Sequence, residues 1–162
     1  GTVMVAPMDI FEAGTMAVFQ DSVGSFVSCW QPKEHIGSQL VNEPGTFTWN
    51  ELATTDLATA RDFYTTVFGW SVNSSEHYTQ WGLDGEDFGG MVRMDDKFPP
   101  EVPPHWLPYF AVADVDATAA AATDAGGTIL MEPTSVPDGP RIAVLRDPQA
   151  AVFGVYLPGA EH

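Results

Sequence analysis

The stretch Asp56-Leu57-Ala58-Thr59-Ala60-Arg61-Asp62-Phe63-Tyr64-Thr65-Thr66-Val67-Phe68-Gly69-Trp70 decides the fold. Asp56 is a natural N-cap, because its carboxylate can accept from the free N–H groups of a first helical turn. Ala60, Phe63, Tyr64, Val67 and Phe68 follow the spacing i, i+3, i+4, i+7, i+8, which predicts one apolar stripe on a helix over 57–68. Gly69 suits the left-handed residue that ends such a helix. Upstream, residues 46–54 read as a strand enriched in Thr, Phe and Trp. Downstream, three short strands are expected near 70–74, 77–82 and 88–94, with turns at Asp84-Gly85-Glu86 and Gly89-Gly90. The segment from 45 to 94 is therefore a βαβββ module.

The pattern recurs. Asp56-Leu57-Ala58-Thr59-Ala60 resembles Asp114-Val115-Asp116-Ala117-Thr118-Ala119, with one extra residue in the second copy. A strand at 107–113, an Ala-rich helix from Val115 to Ala125 ending at Gly126-Gly127, and strands near 128–132, 141–146 and 151–157 complete a second module over 105–158. A longer repeat sets residues 2–32 on 128–158. It matches Thr2 with Thr128, Pro7 with Pro133, Ala17-Val18 with Ala143-Val144, Asp21 with Asp147 and Pro32 with Pro158. Residues 1–30 thus read as the last three strands of a preceding module, and residues 31–44 as an interdomain linker. Met94 to Pro104 is polar, carries four prolines and reads as an extended connection between modules. The fold class is α+β, built from paired βαβββ modules. Three strands at the front need a cover for their edges, supplied by the later modules or by a second copy of the chain.

Composition narrows the function. The chain has 162 residues with 22 Asp+Glu against 6 Lys+Arg, a formal charge of −16. The basic residues are scattered, which argues against nucleic acid and against anionic membrane surfaces, since both need clustered cations. No apolar run is long enough to span a bilayer. Cys29 is the only cysteine and lies in an apolar run, so it reads as a buried thiol, and a cytoplasmic protein is the default expectation.

The Asp56 to Trp70 run, with Ala125-Gly126-Gly127 and Arg141-x-Ala143-x-x-x-Asp147-Pro148-x-x-Ala151-x-Phe153, resembles the vicinal oxygen chelate superfamily, the glyoxalase/bleomycin-resistance/dioxygenase fold. The Trp49-Asn50-Glu51-Leu52 run and His35-Ile36-Gly37-x-x-Leu40-Val41-Asn42-Glu43 are similar to actinobacterial tandem-domain proteins of the mycobacterial 27-kDa-antigen type, called glyoxalase-like or hydroxylase. The resemblance implies four modules in such proteins, with this chain starting inside the second. It also implies a divalent metal held by His, Glu or Gln on the first and last strands of a module. Matching the helix-cap Asp and the Asp-Pro turn puts those positions at Trp49, at Leu107 or Pro108, at Gly154, at Ser28, and near Gly89 or Gly90. None is a competent ligand, and a two-residue slip brings in only Glu51, one carboxylate where three or four ligands are needed. No cofactor is expected; a divalent metal is the alternative the superfamily leaves open, and the ligand positions do not support it.

The candidate pocket residues are Trp49, Glu51, His105, Tyr109 and Arg141. Trp49 and Glu51 share a face of strand 46–54. Glu51 is either a structural carboxylate, capping a loop or paired with an Arg, or a general base or ligand anchor. Arg141 is its expected partner, with a surface Arg as the alternative. His105 is a Pro-flanked loop residue or a pocket group. Trp81, Trp106 and Tyr109 are core or dimer packing, or walls of an aromatic cleft. Of the other histidines, His35 lies in the linker, His77 in a turn or strand edge and His162 at the end of the sequence. The expected partner is a small organic molecule in a cleft between modules, without metal. The alternatives are a glyoxalase-like lyase or isomerase, or a hydroxylase-type oxygenase, using Glu51 or a preceding domain. A scaffold role with a filled pocket is the third reading. A homodimer, or association with a preceding domain, is the expected assembly.

Overall fold

A computed structural model describes residues 1–76 and 78–159. The expectations for His77 and His162 fall outside the described residues. In chain order the elements are β1 (Thr2–Ile10), β2 (Gly14–Gln20), β3 (Phe26–Pro32), β4 (Phe47–Thr54), α1 (Leu57–Phe68), β5 (Ser71–Ser74), β6 (Thr79–Leu83) and β7 (Glu86–Arg93). They continue with β8 (His105–Ala111), α2 (Val115–Asp124), β9 (Thr128–Ser135), β10 (Arg141–Arg146) and β11 (Val152–Leu157). Two compact units form: residues 1–39 with 51–106, and residues 40–50 with the described residues from 107 on. They cut across the sequence-based division at 31–44, since β1–β3 share a unit with α1 and β5–β7. Strand β4 contributes its second half to the first unit and its first half to the second.

Each module folds as its residues dictate. The Asp56 carboxylate accepts from the Thr59 N–H at 3.0 Å, and the Asp114 carboxylate from the Ala117 N–H at 2.9 Å, so both helices start where the caps stand. Gly69, at φ 69°, ends α1 in the left-handed region. Strand order is β5-β6-β7-β4 in the first module and β8-β11-β10-β9 in the second. Helix α1 covers its sheet by burying Ala60 and Tyr64 with Leu52, Trp81 and Met91. Helix α2 does the same with Val115 and Ala119 over Ala143, Leu145 and Val155. The smaller side chains of α2 make this second core mostly aliphatic, while the first is aromatic.

Two turn and linker expectations are corrected. Gly89 and Gly90 are not a turn but lie inside β7, both buried. Glycine is required there because a Cβ on Gly90 would overlap the Tyr78 ring. Met94 to Pro104 is folded into consecutive turns, not extended. The Phe98 N–H donates to the Asp95 carbonyl at 3.1 Å, and the Val102 N–H to the Pro99 carbonyl at 3.0 Å. The Asp95 carboxylate starts the first turn by accepting from the Lys97 N–H.

The 126-residue repeat is visible in atomic detail. β1-β2-β3 form a three-stranded antiparallel sheet, as β9-β10-β11 do within theirs. In the turn between the last two strands, the Asp21 N–H donates to the Ser25 carbonyl and the Asp147 N–H to the Ala151 carbonyl. The Asp21 carboxylate accepts from the N–H groups of Val23 and Ser25, and that of Asp147 from those of Gln149 and Ala151.

Asp21 then departs from its counterpart. It is 4% exposed, and its second oxygen accepts from the Tyr64 hydroxyl at 2.8 Å. The same hydroxyl accepts from the Trp106 indole N–H at 2.8 Å. Phe19 adds ring contacts to Phe63 and Phe68, so the β1–β3 sheet meets α1 through one polar chain and one aromatic patch. Removing the hydroxyl in Tyr64→Phe leaves a buried carboxylate oxygen and an indole N–H unpaired. The expected loss in unfolding free energy is about 1–3 kcal/mol in urea denaturation, with an unchanged m value.

Candidate functional site

In the first unit the site begins at Glu51. Leu52 points into the α1 core, so Glu51 projects from the opposite face of β4. Its Oε2 accepts a hydrogen bond from the Tyr78 hydroxyl at 3.0 Å. Tyr78 is placed by the β5–β6 turn. There the Ser75 N–H donates to the Tyr78 carbonyl at 2.8 Å, and the Tyr78 N–H donates to Ser75 Oγ at 3.2 Å. The Tyr78 ring occupies the space that a side chain at Gly90 would take. Gln80 pairs with Gly90 across β6–β7, and Asn73 pairs with Gln80 across β5–β6. Paired residues share a face, so Asn73, Gln80 and Gly90 lie opposite Trp81, which is buried against α1. This face is a polar strip on which the Tyr78 phenol engages the Glu51 carboxylate.

The second unit repeats the device with a different chemistry. Tyr109 is 3% exposed and pairs with Gly154 in the parallel β8–β11 register. A Cβ on Gly154 would overlap the Tyr109 ring, so glycine is again the seat of a tyrosine. Tyr156 meets Tyr109 edge-on at 6.4 Å and lies nearly parallel to Trp49 at 6.3 Å. Burial pushes the Tyr156 hydroxyl above its ordinary pKa, which keeps it a neutral donor at physiological pH. This face is aromatic.

Arg141, the partner expected for Glu51, is engaged within the second unit. The Arg141 guanidinium grips Asp116 bidentately, with Nε and Nη2 each 2.7 Å from a carboxylate oxygen, and its Nη1 donates to Ser135 Oγ at 3.0 Å. It clasps the first turn of α2 to β9, while in the first unit Glu51 accepts from the Tyr78 hydroxyl. His105 Nδ1 lies 2.8 Å from the Pro103 carbonyl, which can only accept, so Nδ1 carries the proton. Its ring rests beside Phe98 at 6.4 Å. Trp81 and Trp106 belong to the aromatic packing around Tyr64. Tyr78 and Tyr156 went unremarked in the sequence. The signal for Tyr78 was the glycine pair, which stands inside a strand and not at a turn.

Gly154 faces Tyr109, and Gly90 faces the Tyr78 ring, whose hydroxyl reaches Glu51. A divalent ion needs three or four donors. Among the described residues no three or more His, Cys, Asp or Glu group together as ligands.

The Asp116–Arg141 clasp has a pH signature. The hydrogen bond from Arg141 holds the Asp116 carboxyl below the usual carboxylate range. A carboxyl whose pKa is lowered by folding contributes stability above its unfolded pKa and loses it as pH falls through the folded value. Asp116→Asn is therefore expected to be less stable than the parent at pH 7, with the difference shrinking at an acidic pH below the usual carboxylate range. Chemical denaturation of both proteins at the two pH values measures this.

Comparison with known proteins agrees with the geometry. The family model described as Glyoxalase/Bleomycin resistance protein/Dioxygenase superfamily matches residues 35–153. CFP32 of Mycobacterium tuberculosis (strain CDC 1551 / Oshkosh), provisionally named a glyoxylase, is 42% identical over 166 residues, covering 99% of this chain and 62% of that protein. The anthracycline biosynthesis protein DnrV of Streptomyces peucetius is 35% identical over 159 residues, covering 96% of this chain and 57% of that protein. The chain thus spans less than two thirds of the length of either relative. Among solved structures, the 2,3-dioxygenase LapB from Pseudomonas sp. KL28 matches with a TM-score of 0.67 at 13% identity, covering 98% of this chain and 64% of that one. The Mn(II)-bound glyoxalase from Novosphingobium aromaticivorans matches with a TM-score of 0.64 at 13% identity, covering 96% and 54%. At such identities the structures show the fold alone. With more than two thirds of its residues under the family model and its helix caps, module order and Asp-turn repeat in place, the chain belongs to the glyoxalase/bleomycin-resistance/dioxygenase superfamily.

Proposed function

We propose that this chain is a metal-independent binding domain for a small, planar organic molecule. The observation that carries the reading is the pair of tyrosine-over-glycine seats. At the last-strand positions where the resemblance implies metal ligands, Gly90 and Gly154 carry no donor, and the Tyr78 and Tyr109 rings fill the space. In the second unit, Tyr109, Tyr156 and Trp49 then offer ring faces and one neutral phenol donor. That combination suits a fused-ring ligand bearing oxygen substituents, because ring contact supplies area and the phenol supplies orientation. The relatives named for anthracycline biosynthesis support a ligand of that shape. A cytoplasmic location is part of the proposal. No helix among the described residues is long and apolar enough to cross a membrane.

The Tyr78–Glu51 hydrogen bond favours a second reading, in which the domain is a lyase, isomerase or oxygenase with Glu51 as general base. Tyr78 would orient the carboxylate, and Glu51 would take a proton from a carbon beside a carbonyl. Equally poor turnover of α-oxoaldehydes by the parent and Glu51→Gln removes this reading.

Titration calorimetry with 1,8-dihydroxyanthraquinone separates the two. The binding reading predicts an affinity unchanged by EDTA or added Mn²⁺, and weakened about tenfold in Trp49→Ala and in Tyr156→Ala. Binding that EDTA abolishes contradicts it.

A further inference from the structure

We propose that the aromatic core of the first unit quenches oxygen-centred organic radicals: its indoles give up one electron at the surface, and the hole comes to rest on Tyr64 as the phenolic proton passes to Asp21.

The rings form one connected network. Trp70 stacks on Tyr64 at 5.1 Å and 5°, Trp106 stands edge-on to it at 5.3 Å, and Trp81 lies 5.6 Å away. Trp70 joins the other two indoles, at 5.7 Å from Trp81 and 6.0 Å from Trp106. Indole and phenol are among the side chains that lose one electron most easily, and rings in contact pass that loss from one to the next. Trp70 and Trp106 are half-buried, so the network opens to the surface, while Tyr64 and Trp81 lie wholly inside. The module does not require such a core. The second unit covers its sheet with Val115 and Ala119 over Ala143, Leu145 and Val155, with no indole among them.

The hydrogen bonds fix where the hole stops. A buried positive charge is costly, so an oxidised ring inside the core is stabilised by losing a proton. Among the described residues nothing accepts from the Trp81 Nε1–H, and an oxidised Trp81 keeps its charge and takes an electron from a neighbour. Tyr64 has an acceptor in line: its hydroxyl donates to Asp21 Oδ2 at 2.8 Å. The other Asp21 oxygen accepts from the N–H groups of Val23, Gly24 and Ser25, which hold the carboxylate in place. The Trp106 Nε1–H donates to the Tyr64 oxygen at 2.8 Å and would stay on it as the O–H bond breaks. The step balances without another reagent. One electron passes from Trp70 or Trp106 to the oxygen radical, which becomes an oxyanion. Tyr64 returns an electron to that indole, and its proton moves to Asp21 Oδ2. The products are a neutral phenoxyl on Tyr64 and a carboxylic acid on Asp21.

Pulse radiolysis of the parent chain with the trichloromethylperoxyl radical, an oxygen-centred probe, tests this. The tryptophanyl absorption is expected to decay as a tyrosyl absorption grows, at a rate independent of protein concentration and slower in D₂O. Tyr64→Phe and Asp21→Asn should each lose that growth and leave the tryptophanyl radical longer-lived, with circular dichroism confirming that each variant is folded. Trp106→Phe gives a readout that does not depend on those variants. It should keep the tyrosyl radical in freeze-quenched samples and raise its EPR gx value, the mark of a phenoxyl oxygen that has lost a hydrogen bond. Absence of tyrosyl growth in the parent, or unchanged growth in folded Tyr64→Phe, overturns the proposal. A gx value that Trp106→Phe leaves unmoved places the radical on another phenol and overturns it too.

Discussion

One hydroxyl organises the first unit. Tyr64 sits fully buried on α1 and is bonded on one side to the Asp21 carboxylate and on the other to the Trp106 indole. A carboxylate with 4% exposure is costly unless its oxygens are satisfied, and Asp21 meets that demand with three backbone N–H groups and this phenol. Burial drives the Tyr64 phenol far above its ordinary pKa, and the neighbouring carboxylate adds to the effect, so it remains a donor to Asp21 at any pH the fold survives. The rings of Phe63, Phe68, Trp70, Trp81 and Trp106 close around it. Without that polar chain, the turn between β2 and β3 would have an acid facing an aromatic core.

The same logic of rings and small residues shapes both candidate faces. A strand glycine weakens a sheet unless something packs into the space it leaves. Gly90 and Gly154 are each filled by a tyrosine from a neighbouring strand or turn. The consequence for function is direct. Under the proposed function, a phenol ring at each of these positions offers contact with a ring face in place of a charged ligand. Glu51 is the exception, and Tyr78 engages it.

Much of this was legible in the chain. The cap Asp56, the stripe from Ala60 to Phe68 and Gly69 are local signals, and α1 runs over the predicted residues. The match of Asp21 with Asp147 was read as a repeat of identity, and it proved to be a repeat of turn geometry. What could not be read were the long-range choices. Arg141 had two carboxylates to choose from, Glu51 and Asp116, and only the packing of α2 on its sheet brings Asp116 within bidentate reach. Gly89-Gly90 looks like punctuation because glycine pairs usually break strands, but a ring arriving from Tyr78 reverses that meaning. The prolines of 94–104 suggested extension, while Asp95 started a turn.

The central claim is that the faces built on Glu51, Tyr109 and the two glycines work through ring and phenol contacts without a metal ion. Crystals grown with millimolar Mn²⁺ and measured at the manganese absorption edge test it most directly. The account predicts no anomalous peak within coordination distance of Glu51, with the Tyr78 hydroxyl still on its carboxylate. A full-occupancy peak bound by Glu51, with Tyr78 displaced, would contradict it.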